Sequence, residues 1–140
     1  MKKLEPKIVC NRIQTPDGTI LISHHRHDYQ TYTDKNGLEY MVDGGREYLR
    51  RTTYDEAPYI ELSIYDDAPF EEIRKVFHRG GRGKDNKQPL TWVPLDKMSD
   101  EWVKACIVYN KERGMNKSFA SKMYRKELKY RKENNIKIEE

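Results

Sequence analysis

The chain has 140 residues and a formal net charge of +4, and charged side chains make up 36% of it, the same share as the apolar and aromatic ones. That length suits one domain or two small lobes, and about 50 apolar or aromatic residues are enough for a small core, which argues against global disorder. No apolar run approaches the roughly 20 residues of a membrane span. Met1-Lys2-Lys3-Leu4-Glu5-Pro6 has a positive start with no apolar stretch behind it, and two cysteines 96 positions apart, Cys10 and Cys106, form neither a disulfide framework nor a metal site on their own. The expectation is a soluble protein of a reducing cytosol with no membrane partner.

Charge is uneven along the chain. Residues 1–70 hold 9 Lys/Arg against 12 Asp/Glu and residues 71–140 hold 18 against 11, so an acidic front half of net −3 joins a basic back half of net +7. A basic half attracts nucleic acid, nucleotides or an acidic protein surface, and a solvated Lys-rich helix face has the same composition.

From Lys7 to Thr52 the pattern is one of strands and tight turns. Ile8-Val9 opens an extended run that reverses at Thr15-Pro16-Asp17-Gly18, where Pro presets φ and Gly accepts the left-handed conformation. Thr19-Ile20-Leu21-Ile22 is the returning strand. A second pair, Tyr29 to Thr33 and Leu38 to Val42, is joined by Asp34-Lys35-Asn36-Gly37, a strong hairpin signal. Asp43-Gly44-Gly45 breaks the strand, and Tyr48-Leu49 adds a short extended piece before Arg50-Arg51. Tyr59 to Tyr65 alternates, with Ile60, Leu62 and Ile64 on one face, and predicts one half-buried strand.

Asp66-Asp67-Ala68-Pro69, followed by Glu71 and Glu72, predicts a helix start, with Phe70, Ile73, Val76 and Phe77 as its apolar stripe and Gly80-Gly81 as its end. Residues 79–89 hold no apolar side chain and predict a loop; Leu90 to Leu95, with Trp92, is a short stretch that Pro94 keeps at a sheet edge. Ser99-Asp100-Glu101 starts a second helix that stops at Gly114. Ser118 starts a third, carrying Phe119, Ala120, Met123, Tyr124 and Leu128 toward the core, and the polar chain from Lys129 frays. The fold class expected is α+β: an antiparallel, ribbon-like β-hairpin module over residues 7–65 packed with a three-helix part over 66–134, with a polar tail at 135–140.

Two regions carry candidate chemistry. His24, His25 and His27 with Asp28 form the one cluster of ligand-type or acid–base side chains; on a strand His25 and His27 share a face, with Asp43 and Cys10 as candidates for a third metal ligand. The alternatives are a hydrogen-bonded corner between hairpins, which is the reading taken, and a polar binding site of His25, Arg26, His27, Asp28, Asp43, Gly44 and Gly45, in which the glycines present N–H groups to a phosphate. Cys106 falls on an apolar helix stripe and reads as core rather than nucleophile. The segment from Arg79 to Lys87 concentrates Arg79, Arg82, Lys84 and Lys87 beside Arg74, with Asp85 as its single acid, and predicts a basic connector suited to phosphate or an acidic protein surface. Trp92 could add stacking, and of the consecutive Arg50 and Arg51 one at most serves a given surface.

His25-Arg26-His27-Asp28-Tyr29, then Tyr40-Met41-Val42-Asp43-Gly44-Gly45 and Tyr48-Leu49-Arg50-Arg51, resemble a module of small hypothetical proteins of tailed bacteriophages. Gly83 to Leu90 and Leu128-Lys129-Tyr130-Arg131 resemble the second half of longer members, so the resemblance covers about residues 8–131. It implies phage origin and no particular reaction. Shorter relatives look like zinc ribbons with Cys pairs near the turns; here Asp17-Gly18 and Asn36-Gly37 stand at the turns, so the resemblance implies a ribbon-like module whose hairpin turns replace metal knuckles. The expectation for function is a non-enzymatic phage accessory protein, without cofactor or metal, that binds and modulates a host or anti-phage defence factor in the host cytoplasm. Binding of a nucleic acid or nucleotide is the alternative, and a metal-dependent enzyme using His25, His27 and Asp28 comes third.

Overall fold

The structure, a computed structural model, describes residues 5–51, 58–83 and 85–139. Antiparallel strands fill the front of the chain and three helices follow, the α+β class that the sequence predicts. The chain divides into two units, Met1–Val76 and Phe77–Glu140. The division falls after the first helix rather than before it, so that helix belongs with the β module.

In the first unit β1 (Ile8–Gln14) pairs with β2 (Ile20–Ser23) on one edge, and with β6 (Ile60–Glu61) and β7 (Ile64–Tyr65) on the other. A second sheet runs β3 (Gln30–Thr33), β4 (Glu39–Asp43), β5 (Arg50–Arg51), and helix α1 spans Phe70–Val76. Ile13 of β1, Leu21 of β2, and Tyr40 and Val42 of β4 meet in one core, with Tyr32 and Tyr59 packed against it. Ile8–Gln14 is buried at Val9, Cys10, Asn11 and Ile13, which is why this strand is central.

Both hairpins are closed by the same device. Gly18 N–H donates to Thr15 O and Gly37 N–H to Asp34 O, and the glycine that follows each turn takes positive φ, +90° and +84°. This is a type I turn followed by a left-handed residue, which gives the strands the twist they need. A carboxylate locks each turn: Asp34 Oδ1 accepts from Asn36 N at 2.9 Å and Leu38 N at 3.0 Å, and Asp17 accepts from the Thr15 hydroxyl, Thr19 N and the Tyr32 hydroxyl of the second hairpin. Those donors, Thr15 foremost, hold the Asp17 carboxyl well below its ordinary value.

The predicted strand over Tyr59–Tyr65 is two short ones. It breaks where Leu62 N donates to Arg12 O at 3.1 Å and the Ser63 hydroxyl takes the place of a backbone acceptor for Arg12 N at 3.2 Å. The register on β1 is the same on both sides of that break and shifts only beyond Ile64, between Ile8 and Cys10; Ile60 is 55% exposed.

In the second unit the chain enters a strand directly: β8 (His78–Gly81) pairs with β9 (Thr91–Pro94). The first three residues of the predicted loop over 79–89 are therefore strand. Gly80 and Gly81 are not a helix stop but flat ground for indole rings; a Cβ on Gly80 would sit 3.2 Å from Trp92, and one on Gly81 2.8 Å from Trp102. Apolar count along the segment could not reveal this, because what packs there is backbone. A 3-10 turn at Leu95–Lys97 leads to α2 (Asp100–Glu112) and α3 (Phe119–Glu133), whose Ser99 and Ser118 caps accept from Trp102 N and Ser121 N at 3.1 and 3.2 Å. The core is Phe77, Leu95, Met98, Val103, Cys106, Met123 and Tyr124.

At its base lies a buried ionic cluster. Arg131 Nε donates to Glu127 Oε2 at 2.6 Å, Nη1 to Asp100 Oδ1 at 2.6 Å and Nη2 to Leu95 O at 2.9 Å, with Glu127 fully buried and Arg131 2% exposed. The tail does not fray: Ile136 N donates to Arg131 O, Asp100 N to Ile138 O at 2.9 Å, and Ile138 N to Asp100 Oδ1 at 3.4 Å. Polarity misleads here because the contacts are made by main chain.

Both Trp residues lie in this unit, so indole fluorescence during urea unfolding reports on it alone. Arg131→Met removes the Arg131 guanidinium from the buried Glu127 carboxylate and is expected to cost about 3–5 kcal/mol, while adding Glu127→Leu recovers part of the loss. A single variant as stable as the parent would refute this role. Burial pushes the Asp100 carboxyl up, but the bonds from Arg131 and Ile138 N–H outweigh it and hold the group below its ordinary 3.8. Its contribution is thus complete above that value and drains away as pH falls through the lower folded value. Urea midpoints followed from pH 6 to pH 2 should fall in that window, with a smaller fall for Asp100→Asn.

Candidate functional site

The histidine cluster is a corner, not a strand. His27 adopts φ +65°, so His25 and His27 do not share a face and turn to different partners. Asp28 organises the corner: His24 N donates to its Oδ2 at 2.8 Å, Gln30 Nε2 to its Oδ1 at 2.6 Å, and its own carbonyl accepts from the Ser23 hydroxyl at 2.7 Å. The imidazoles of His24 and His25 stand 3.8 and 3.9 Å from the same carboxylate, and Arg26 is exposed with its carbonyl 2.9 Å from His25 Nδ1. Among the described residues no three His, Cys, Asp or Glu side chains come together in a metal-holding group, and Cys10 is buried in β1, away from the corner's hydrogen bonds.

Asp43, Tyr48 and His27 form a chain. Tyr48 donates to Asp43 Oδ2 at 3.1 Å, His27 Nδ1 lies 3.0 Å from the Tyr48 oxygen, and the Arg50 guanidinium is 3.8 Å from Asp43. Burial, then the Asp43 carboxylate, raises the Tyr48 phenol above its ordinary value. At the glycines, Gly45 N donates to the Ser23 hydroxyl at 2.9 Å, and Gly44 O accepts from Glu47 N and Tyr48 N. Arg51 faces inward with its donors spent on Asn11 Oδ1 at 2.6 Å, Glu61 at 2.8 and 3.1 Å, and the Ser63 hydroxyl at 2.8 Å. Arg50 points out, as expected for consecutive strand residues.

The basic connector is also divided. Arg74 is four residues after Phe70 on the apolar stripe of α1, and is buried there in the first unit. Arg79 is half-buried in β8; its Nη1 donates to the Tyr124 hydroxyl at 3.0 Å and its guanidinium lies over the Tyr124 and Tyr109 rings at 5.8 and 5.9 Å. Trp92 is half-buried against Gly80 rather than presented to solvent. Arg82 and Lys87 are exposed, on a turn where Gln88 N donates to Arg82 O, and Lys84 lies outside the described residues. Two described cations of the predicted five therefore face outward. Cys106 is buried, which raises its thiol against the pull of Arg79 and a Tyr124 hydrogen bond.

A denser cationic surface stands on α3. Lys122, Arg125, Lys126, Lys129 and Lys132 are all exposed, while Ser121, Met123, Tyr124, Glu127 and Arg131 are buried. The five cations fall at i, i+3, i+4, i+7 and i+10, one side of a helix of 3.6 residues per turn. Arg125 is held in place by Nη1 bonds to Asn116 O at 2.9 Å and Asn116 Oδ1 at 3.1 Å. Of the two acids of α3, Glu127 is buried on Arg131 and Glu133 pairs with Lys129 at 3.9 Å. Sequence reading by apolar stripe alone missed this surface; the same periodicity applied to Lys and Arg would have found it. Comparison with protein family models, with curated proteins and with solved structures finds no match to this chain.

The corner sets a sharp test of backbone packing. A Cβ on Gly45, at φ +51°, would lie 2.4–2.5 Å from the His25 main chain, whereas one on Gly37 meets nothing within 4 Å. Gly45→Ala is expected to abolish the dispersed amide NMR signals of the first unit, and Gly37→Ala to cost about 1 kcal/mol with the fold intact. Equal tolerance of the two would show the corner to be plastic.

Proposed function

We propose that the chain is a non-enzymatic accessory protein of a tailed phage that works in the host cytoplasm by occluding a negatively charged macromolecule through the outward cations of its second unit. The observation that supports it best is the α3 face, five exposed cations with one paired acid, with Arg82 and Lys87 as further exposed cations in that unit. The two units differ in sign: Met1–Val76 holds 11 Lys/Arg against 14 Asp/Glu, and Phe77–Glu140 holds 16 against 9. Such a field raises the encounter rate with an anionic partner and makes binding salt-dependent. The phage assignment rests on the resemblance of the front module.

A second reading, in which the partner is an acidic surface of a host or defence protein, is favoured by exposed apolar side chains of the same unit. Val108, Tyr109 and Met115 are 54%, 46% and 49% exposed, and Arg113 stacks on the Tyr109 ring at 4.2 Å. Aromatic and arginine side chains are the usual anchors of protein interfaces.

Chromatography of the full chain on immobilised heparin tests the polyanion reading. The parent should be retained and elute at clearly higher salt than the variant carrying Lys122→Gln, Arg125→Gln, Lys126→Gln and Lys129→Gln, with circular dichroism unchanged. Passage of the parent through the column at low salt would refute it.

A further inference from the structure

We infer that the cationic face of α3 docks on the phosphodiester backbone of duplex DNA, without regard to base sequence. This deepens the polyanion reading above and rests on it. Four observations carry it, and three of them remove competing ligand classes.

The first is spacing. From Lys122 to Lys132 the helix rises about 15 Å at 1.5 Å per residue, and over that length duplex DNA carries about nine phosphate charges at one per 1.7 Å. A single row of cations on a straight rod matches a rod of fixed charge better than it matches a compact nucleotide, which needs donors converging on one point.

The second is orientation. The opposite side of α3 is fixed by the buried Glu127–Arg131 pair and by Asn110 Nδ2 donating to the Ser121 hydroxyl at 3.0 Å. The helix therefore cannot roll to hide its cations. With Arg125 held by Asn116, the charged row is partly ordered before any ligand arrives.

The third is what the face lacks. Lys122, Arg125, Lys126, Lys129 and Lys132 share it with Glu133, and no aromatic or apolar side chain stands among them. Single strands are held by stacking on aromatic rings, and protein interfaces by apolar anchors, so neither is the ligand of this face. The row also has no Asn or Gln to read a base edge, and Arg125 is already engaged, which leaves backbone contact.

The fourth is the helix itself. A lone α-helix can follow the wide major groove of B-form DNA with its cations on the flanking phosphates. The deep, narrow major groove of duplex RNA does not admit it.

Fluorescence anisotropy of the full chain with a labelled 20-base-pair DNA duplex, between 50 and 200 mM salt, tests the inference. The plot of log affinity against log salt should have a slope of about −4, a fall of about 250-fold over that range. Lys126→Gln with Lys129→Gln should flatten the slope by about two, and Glu133→Gln, which frees Lys129, should strengthen low-salt binding by about twofold. Two duplexes of unrelated sequence should bind alike, and both better than a single strand or an RNA duplex. Equal or tighter binding of the single strand or the RNA, or a slope indifferent to the Lys126/Lys129 change, would overturn the inference. Binding of poly-L-glutamate without binding of the duplex would overturn it too while leaving the polyanion reading standing. Failure of every polyanion would remove both.

Discussion

Arg131 is the pivot of the basic unit. Its guanidinium ties one turn of α3 to the start of α2 through Asp100, to the preceding 3-10 turn through Leu95 O, and to its own helix through Glu127. Apolar side chains replacing Arg131, Glu127 and Asp100 together could fill that volume at comparable stability, since desolvating three charges is costly. What an apolar replacement would not do is choose a rotation for α3. The fork of the guanidinium accepts one arrangement of partners, and that arrangement is the one that turns the five cations of the helix outward. Charge inside the molecule thus dictates where charge outside it is displayed.

The β module uses arginine in the same way. Arg51 joins Asn11 of β1 to Glu61 of β6, while the Asn11 amide spans the carbonyls of Asp43, Gly45 and Tyr48. One buried amide and one guanidinium thereby stitch the two sheets together beside the aliphatic core. Arg74 and Arg79 are likewise interior or half-interior, the second lying against tyrosine rings. The described lysines face water, as expected for a compact, strongly hydrated ammonium compared with a planar, weakly hydrated guanidinium.

This division explains which parts of the molecule were legible from the chain. Features governed by one residue and its near neighbours were plain: the glycine after each hairpin turn, the serine caps at Ser99 and Ser118, the stop at Gly114, and the corner around Asp28. Features governed by a distant partner were not. Nothing local distinguishes the half-buried Arg51 from the exposed Arg50 beyond the alternation of a strand. Gly80 and Gly81 look like a loop because the rings resting on them come from Trp92 and Trp102. The basic segment after the first helix is plain because its cations lie close together with no apolar residue between them, whereas the cations of α3 are diluted by the core residues between them. Only folding the periodicity into three dimensions brings those side chains to one side.

The return of the chain after α3 has an architectural consequence. Ile138 supplies the carbonyl that receives the first amide of α2, and its own amide reaches the carboxylate that holds Arg131. The end of the last helix and the end of the folded unit are therefore different places. An excerpt of this chain trimmed to its regular secondary structure would strip the clasp from the ionic cluster, whose bonds extend through Ile138.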